Sequence, residues 1–342
     1  MKAIVIHQHG GPEVLQFEDA PVPSIPSNDV LVRVRACALN HLDLWVRRGL
    51  PNVAIPMPHI PGSDVAGEIA EIGTDVTTVR VGQKVVLAPG VSCGKCAACV
   101  AGLDNRCRKF SNLGYIIDGG DAEFVRCPEV NCLPYPENLS FEEAASVPLV
   151  FQTAWQMLIT RAQLQPGEDV LILGAGSGVG SAAIQIAAMF GARIIATAGN
   201  EAKLEKAKQL GAHHLINHKT QKISDEVRRI TGKKGVEVVI EHVGTATWDQ
   251  SIASLAPAGR LVTCGATTGY DAKIDLRFLF SRQLSLLGSY MGTKAELFSV
   301  MKLVASGHLK PVLDRTFPLS ACADAHRYLE AGEQFGKVVL VV

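Results

Sequence analysis

Val170-Leu171-Ile172-Leu173-Gly174-Ala175-Gly176-Ser177-Gly178-Val179-Gly180 is the stretch on which the reading of this chain turns. Four consecutive aliphatic residues make a short strand buried on both faces. The strand runs into a glycine-rich turn, and Ala182 to Phe190 reads as a helix stopped by Gly191. In a strand–turn–helix of this kind, glycines let backbone N–H groups and the helix N-terminus come close to a pyrophosphate. A glycine triplet alone is weak evidence; this one follows the first strand of an alternating region, where the chemistry requires it. Gly174, Gly176, Ser177, Gly178, Val179 and Gly180 are therefore expected cofactor contacts, joined by Gly265 just past a later strand.

Downstream, Arg193 to Thr197 reads as a strand and Glu201 to Leu210 as a charged amphipathic helix stopped by Gly211. Val236 to Ile240 and Arg260 to Cys264 read as further strands. Strands alternating with helix-length segments imply an α/β, doubly wound parallel sheet covered on both faces. An enzyme using NAD usually carries an acid at the end of the second strand to hold the ribose 2′-OH. Here that strand ends Ala198-Gly199-Asn200, and Glu201 comes later, at the helix start. A 2′-phosphate meets no repulsion there, and Asn200 and Lys203, with Thr197 nearby, are its expected contacts. NADP(H) is expected rather than NAD(H). The adjacent His213 and His214, in a connection after Gly211, read as solvated.

Upstream, the first ~150 residues have a different texture. Val30 to Ala36, Ala66 to Gly73 and Lys84 to Ala88 read as strands separated by turn signals, which predicts a small, mostly β domain. The closing run Lys337-Val338-Val339-Leu340-Val341-Val342 reads as a strand returning to that first domain. Between 93 and 107 lies Cys93-x2-Cys96-x2-Cys99-x7-Cys107. Four thiolates at this spacing can close a tetrahedral zinc site, and closed sites are structural. The spacing does not match the iron–sulfur runs of ferredoxins. The other five cysteines (Cys37, Cys127, Cys132, Cys264, Cys322) sit singly among apolar neighbours and read as small buried hydrophobes.

The bulk numbers bound the rest. A chain of 342 residues exceeds what one core usually serves, so two domains are expected. Apolar residues make up 47% and charged residues 19%, which suits a globular protein. Lys+Arg and Asp+Glu are both 33, so nothing electrostatic favours a nucleic acid or an anionic membrane. No apolar run is long enough to span a bilayer, and the apolar start Ala3-Ile4-Val5-Ile6 is too short for a signal peptide. A cytoplasmic location is expected. The odd count of nine cysteines argues against a disulfide framework.

With these residues in hand the sequence resembles the medium-chain dehydrogenase/reductase family, which includes zinc alcohol dehydrogenases and quinone oxidoreductases. The resemblance rests on Gly10-Gly11-Pro12-Glu13-Val14-Leu15, Pro61-Gly62-Ser63-Asp64-Val65-Ala66-Gly67, the four-cysteine lobe, Leu139-Ser140-Phe141-Glu142-Glu143-Ala144-Ala145, Thr153-Ala154-Trp155 and the glycine turn. It implies a GroES-like, mostly β catalytic domain over 1–149 and 291–342, with a Rossmann NADP(H)-binding domain over 150–290. It places the active site in the cleft, with Thr153 beside the nicotinamide; His59, between two prolines, reads as a loop residue at the cleft rim. The catalytic zinc of alcohol dehydrogenases is held by Cys, His and Cys. Those positions fall here on Asn40, Ser63 and Leu149, of which none is a soft ligand, so that zinc is expected to be absent. A rearranged set drawn from His41, Asp43, His59 and Asp64 is an alternative.

Asn40-x-x-Asp43 instead resembles the zinc-free quinone oxidoreductases and enoyl reductases, although a Tyr common in them is here Trp45. The resemblance implies NADPH-dependent hydride transfer to a quinone or activated alkene, with Asn40 and Asp43 orienting the acceptor. Asp43, His41, Tyr290 or water are the candidate proton donors, and Phe151, Trp45 and Tyr290 candidates for the apolar wall. Alcohol–aldehyde interconversion and a non-catalytic NADP(H)-binding role are the alternatives. One structural zinc per chain, a small-molecule substrate and a homodimer or tetramer, paired through the apolar edge Leu284 to Ser289, complete the expectation.

Overall fold

The computed structural model describes residues 1–342. The chain divides into two compact units, one formed by Met1–Leu149 with Thr293–Val342, the other by Val150–Gly292.

The first unit holds β1 (Asp29–Ala38), α1 (His41–Arg48), β2 (Asp64–Ile72), β3 (Lys84–Leu87), β4 (Phe124–Pro128) and β5 (Cys132–Pro134). The second holds α2 (Pro148–Trp155) from its third residue on, then β6 (Asp169–Ile172), α3 (Gly178–Met189), β7 (Arg193–Ala198), α4 (Glu201–Gln209), β8 (His214–Asn217), α5 (Ile223–Ile230), β9 (Val236–Glu241), β10 (Leu255–Thr263), α6 (Leu276–Ser281) and β11 (Ser285–Gly288). The chain then returns to the first unit with β12 (Leu313–Pro318), α7 (Cys322–Glu330) and β13 (Lys337–Val341).

In the first unit seven strands form one sheet in the order β12-β13-β1-β2-β3-β5, with β4 also paired to β1. The first half of β1 pairs with β4 and its second half with β13, so Val339 lies opposite Ala38. The C-terminal run thus closes onto the first domain, as its apolar text predicts. One face of this sheet packs around Val32, Val34, Val65, Ile69, Val85 and Leu87.

In the second unit six parallel strands run in the order β8-β7-β6-β9-β10-β11. The order reverses between β6 and β9, and in such sheets ligands bind outside the carboxyl ends of the strands at that point. Leu171, Ile195, Val239 and Leu261 fill the core from four neighbouring strands.

Two boundaries differ from the sequence expectation. Helix α3 begins at Gly178 rather than Ala182, because Ser177 caps it and its side chain accepts from the Gly180 N–H at 2.8 Å. Strand β10 begins at Leu255 rather than Arg260. Its first half was hidden by Pro257-Ala258-Gly259, where Ala258 takes φ +59° and the register to β9 shifts. His214 is not in a connection but in β8, half-buried, and the His213 ring accepts from the Ile194 N–H at 3.1 Å. Of the five single cysteines, Cys37, Cys127 and Cys322 are buried, whereas Cys132 and Cys264 are half-buried.

Candidate active site and zinc lobe

The glycine turn is held by internal hydrogen bonds from the Gly174, Ala175, Ser177 and Gly180 amides. Gly174 has φ +56°, a conformation that favours glycine, and a β-carbon there would lie 3.0 Å from the His242 ring. A β-carbon on Gly180 would collide with the Gly174 carbonyl at 2.3 Å, so the helix sits as close to the strand as glycine permits. Thr197 pins the turn from β7: its hydroxyl accepts from the Gly174 N–H at 3.2 Å and its carbonyl from the Ala175 N–H at 2.8 Å. Thr197 is therefore a brace, buried to 1% exposure. The first-turn amides of α3, including Gly178 and Val179, have no carbonyl partner within the helix and suit a phosphate.

Sequence reasoning missed His242. Its Nε2 donates to the Leu173 carbonyl at 2.9 Å and lies 3.3 Å from the Ser177 hydroxyl, and burial holds its pKa below the usual histidine range. Gly265 lies against the same residue, its missing β-carbon 3.2 Å from the His242 carbonyl, so His242 joins the two glycine positions. Thr153 sits nearly buried in α2.

At the end of β7 the Asn200 side chain caps α4, accepting from the Lys203 N–H at 2.9 Å. Glu201 accepts from the Asn217 amide at 2.9 Å. The groups that converge on Gly199 come from past β8: a β-carbon there would lie 3.1 Å from both His218 Nε2 and Lys219 Cε. Burial, then the charges of Lys219 and Lys203, hold the His218 pKa down. Lys203 and Lys219 make the corner cationic, and His218 and Lys219 carried no sequence signal because a whole α/β repeat separates them from the turn.

In the first unit the four cysteines of the lobe converge. Their sulfurs lie within 4.8 Å of one another, with Cys93–Cys99 at 4.0 Å and Cys96–Cys99 at 3.6 Å. Sulfurs ~2.3 Å from a tetrahedral zinc stand about 3.8 Å apart, so the lobe fits the ion. Backbone N–H groups of Lys95 and Cys96 aim at Cys93 and bring its thiol down to about 6. The Cys93 and Lys109 amides point at Cys107 at 3.5 and 3.4 Å. Such donors stabilise thiolates.

Asn40 and Asp43 lie together in the first unit. Asn40 precedes α1, and its N–H donates to Asp43 Oδ2 at 2.6 Å. The Asn40 amide donates to Asp64 Oδ2 at 3.0 Å. A buried ammonium completes the set: Lys337 Nζ, at the start of β13, donates to Asn40 Oδ1 at 2.6 Å and to Asp64 Oδ2 at 2.9 Å. Asp64 Oδ1 accepts the Leu149 N–H at 2.9 Å. The Ser63 hydroxyl donates to the Leu113 carbonyl at 2.7 Å. The three positions matched to catalytic zinc ligands are thus an amide bound to an internal cation, a hydroxyl turned to backbone, and an aliphatic side chain. That donor set does not fit a zinc.

The rearranged set does not gather either. His41 is half-exposed and packs edge-on against Trp45 at 5.0 Å. His59 is not at a rim but buried to 1% exposure, bonded to the Gly114 carbonyl at 3.1 Å and facing Asp118 at 3.3 Å. Burial pushes Asp43 up to about 6, opposed by the Asn40 N–H and Lys337. Asp121, which the sequence reading passed over, is buried beside it and pushed up to about 8 by burial and by the Asp43 charge. Tyr290 is 54% exposed and Phe151 buried in α2.

Residues 26–137 match the alcohol dehydrogenase GroES-like domain and residues 178–306 match the zinc-binding dehydrogenase domain. The chain belongs to the medium-chain dehydrogenase/reductase family. This medium-chain dehydrogenase/reductase is 31% identical to the quinone oxidoreductase of Rattus norvegicus, covering 100% of this chain and 98% of the relative. It is 34% identical to the NAD-dependent alcohol dehydrogenase of Sulfolobus acidocaldarius, over 100% of both chains. A solved structure of an NAD-dependent alcohol dehydrogenase shares 48% identity and superposes with a TM-score of 0.97 over 100% of both chains. The medium-chain dehydrogenase/reductase is accordingly an oxidoreductase with a nicotinamide cofactor and a zinc-binding cysteine cluster. No helix in it is long and apolar enough to cross a membrane.

Proposed function

We propose that this protein transfers hydride from NADPH to a quinone or to an alkene conjugated with a carbonyl, without a metal at the reaction centre. The observation that carries the reading is the Lys337 ammonium seated on Asn40 and Asp64. It supplies the positive charge that an ion would otherwise bring to these two residues. Without a Lewis acid an alcohol keeps its high pKa, whereas an electron-poor acceptor needs only to be held against the nicotinamide. Asn40 and Asp43, buried and bonded to Lys337, to Asp64 and to each other, act as positioning residues through that network rather than by touching the acceptor; the proton comes from a neighbouring acid or water. The relatives named quinone oxidoreductase support the acceptor class.

NADP(H) is proposed over NAD(H) because Lys203, His218 and Lys219 surround Gly199 while Glu201 is turned to Asn217. The zinc of Cys93, Cys96, Cys99 and Cys107 is proposed as structural, one per chain, since all four positions are thiolates and none is left open for substrate. A homodimer, or a tetramer of dimers, is proposed through β11, an edge strand beside the exposed Leu276, Phe278 and Phe280 of α6. Light scattering giving the mass of one chain would contradict that.

A second reading, NAD-dependent alcohol oxidation, is favoured by the 48% identical structure. One experiment separates the two. Metal analysis should give one zinc per chain, and NADPH should be oxidised by 1,4-benzoquinone or a 2-alkenal. Two metals per chain with ethanol oxidation, and no turnover of either acceptor, would replace the reductase by the alcohol enzyme.

A further inference from the structure

The unit that carries the glycine turn has a second concave site, at the opposite end of its sheet. Helix α5 buries Ile223 and Val227 and sends Arg228 and Arg229 from its last turn into solvent. The chain then doubles back tightly, with the Thr231 hydroxyl donating to the Val227 carbonyl at 2.8 Å and accepting from the Gly235 N–H at 2.9 Å. Within that turn Lys233 takes φ +70°, a left-handed conformation that glycine or asparagine would hold at less strain. The result is a pocket of about 640 Å³ lined by Arg228, Arg229, Lys233, Lys234 and Arg282, over a floor of Ala253 and Leu255.

The charges in this pocket are not balanced from within. Arg229 pairs with Glu226 at 2.7 Å, and the one acid of the lining, Asp225, pairs with Lys222 at 3.3 Å. Arg228, Lys233 and Lys234 have no carboxylate partner. Arg282, tied to the Leu255 carbonyl, has its pKa lowered by burial and then by the Arg228 charge. Like charges held together in one concave site repel, and an anion relieves that repulsion. The chain as a whole has 33 cations and 33 anions, so the concentration is local.

This pocket is separate from the dinucleotide site. Gly235 precedes β9, and Leu255 opens β10, whereas the glycine turn follows β6, which runs parallel to both in one sheet. Six residues of strand put about 17 Å between the two ends. A run of nucleic acid needs a longer basic stripe and aromatic platforms, and the pocket has neither. Three unpaired cations, one of them the forked guanidinium of Arg228, match the oxygens of linked phosphates better than a single carboxylate.

We propose that this pocket binds a small metabolite carrying two or more linked phosphates, the phosphates held by Arg228, Lys233 and Lys234 and the organic part lying over Ala253 and Leu255. The test is calorimetric titration of inorganic tripolyphosphate into the full chain saturated with NADPH, at about 150 mM salt to suppress loose surface binding. One ion per chain should bind saturably. The double variant Arg228→Gln/Lys234→Gln should weaken it tenfold or more while keeping NADPH binding and the parent unfolding temperature. ADP binding more tightly than pyrophosphate would support the organic subsite. Absence of a saturable heat, or binding unchanged in the double variant, overturns the proposal. So does a twenty-base single strand that binds more tightly than tripolyphosphate and is lost in the same variant.

Discussion

Two clusters of cation-seeking side chains in the first unit are solved in opposite ways. The lobe at 93–107 draws four sulfurs together within fifteen residues; Arg106, Arg108 and Lys109 stand beside them, but the tetrahedral set of sulfurs fits a metal brought from outside. The cluster of Asn40, Asp43 and Asp64 draws on segments up to 297 positions apart and brings its own cation, Lys337. Local spacing therefore announces a metal site, whereas a site neutralised by a distant lysine is silent until the chain is folded. The contrast also separates two energetic regimes. In the lobe, ligand binding is folding free energy. In the cluster, one ammonium is set against carboxylates that cannot be hydrated, and removing either partner strands the other.

The largest effect is expected where the external cation is lost. Cys96→Ser should abolish zinc retention, destabilise the first unit by about 5 kcal/mol or more, and lower its unfolding temperature by about 10 °C or more. Metal content and scanning calorimetry measure both. An unchanged transition in metal-free protein would erase the distinction, because the lobe would then fold without its ion.

Next comes the internal cation. Lys337→Met should cost about 3–5 kcal/mol in urea unfolding, since it leaves Asp64 buried and charged. Adding Asp64→Asn should recover a large part of that loss, because the stranded charge is removed along with its partner. If the double variant is no better than the single one, the pair is held by packing rather than by charge.

Asp121 sharpens the same point through pH. Its folded pKa of about 8 stands above the ~3.9 of an unfolded chain. Between these values the folded state holds a proton that the unfolded state has released, so stability falls as pH rises from about 4 to 8. Asp121→Asn should remove that slope, gaining about 4 kcal/mol on the parent at pH 8.5 relative to pH 5. Parallel stability curves for the two proteins would mean that the carboxyl is hydrated in solution.

What could be read from the sequence follows the same division. The glycine turn, the cysteine lobe and most strands of the parallel sheet are written in contiguous residues whose period or spacing has one physical solution. Asn40 and Asp43 were found because the short run Asn40-x-x-Asp43 resembles that of the zinc-free reductases. Lys337, Asp121 and His242 were not, since each is one polar residue in an otherwise apolar or glycine-rich stretch, and its partners lie in other strands. Thr197, read only as lying near the cofactor corner, proves to have its hydroxyl committed to the turn itself. The expectation for His59 erred, because flanking prolines suggest a loop and say nothing of the Asp118 and Gly114 that enclose it.

The corner at Gly199 lies between the two extremes, with Lys203 near in sequence and His218 and Lys219 one α/β repeat away. It should therefore show the smallest effect, because each cation there is partly exposed and shares the task. Lys219→Ala should raise the KM for NADPH about tenfold, close to 1.4 kcal/mol, with kcat and the KM for NADH unchanged. Gly199→Asp should act more sharply on preference than on stability. Its side chain would meet only the mobile ends of His218 and Lys219, and its carboxylate would accept from a ribose 2′-OH while repelling a 2′-phosphate. Steady-state kinetics with both coenzymes decides the matter. If Lys219→Ala affects NADH and NADPH equally, the lysine reads the shared pyrophosphate rather than the 2′-phosphate. The acid-free strand end would then have to be explained by something other than coenzyme choice.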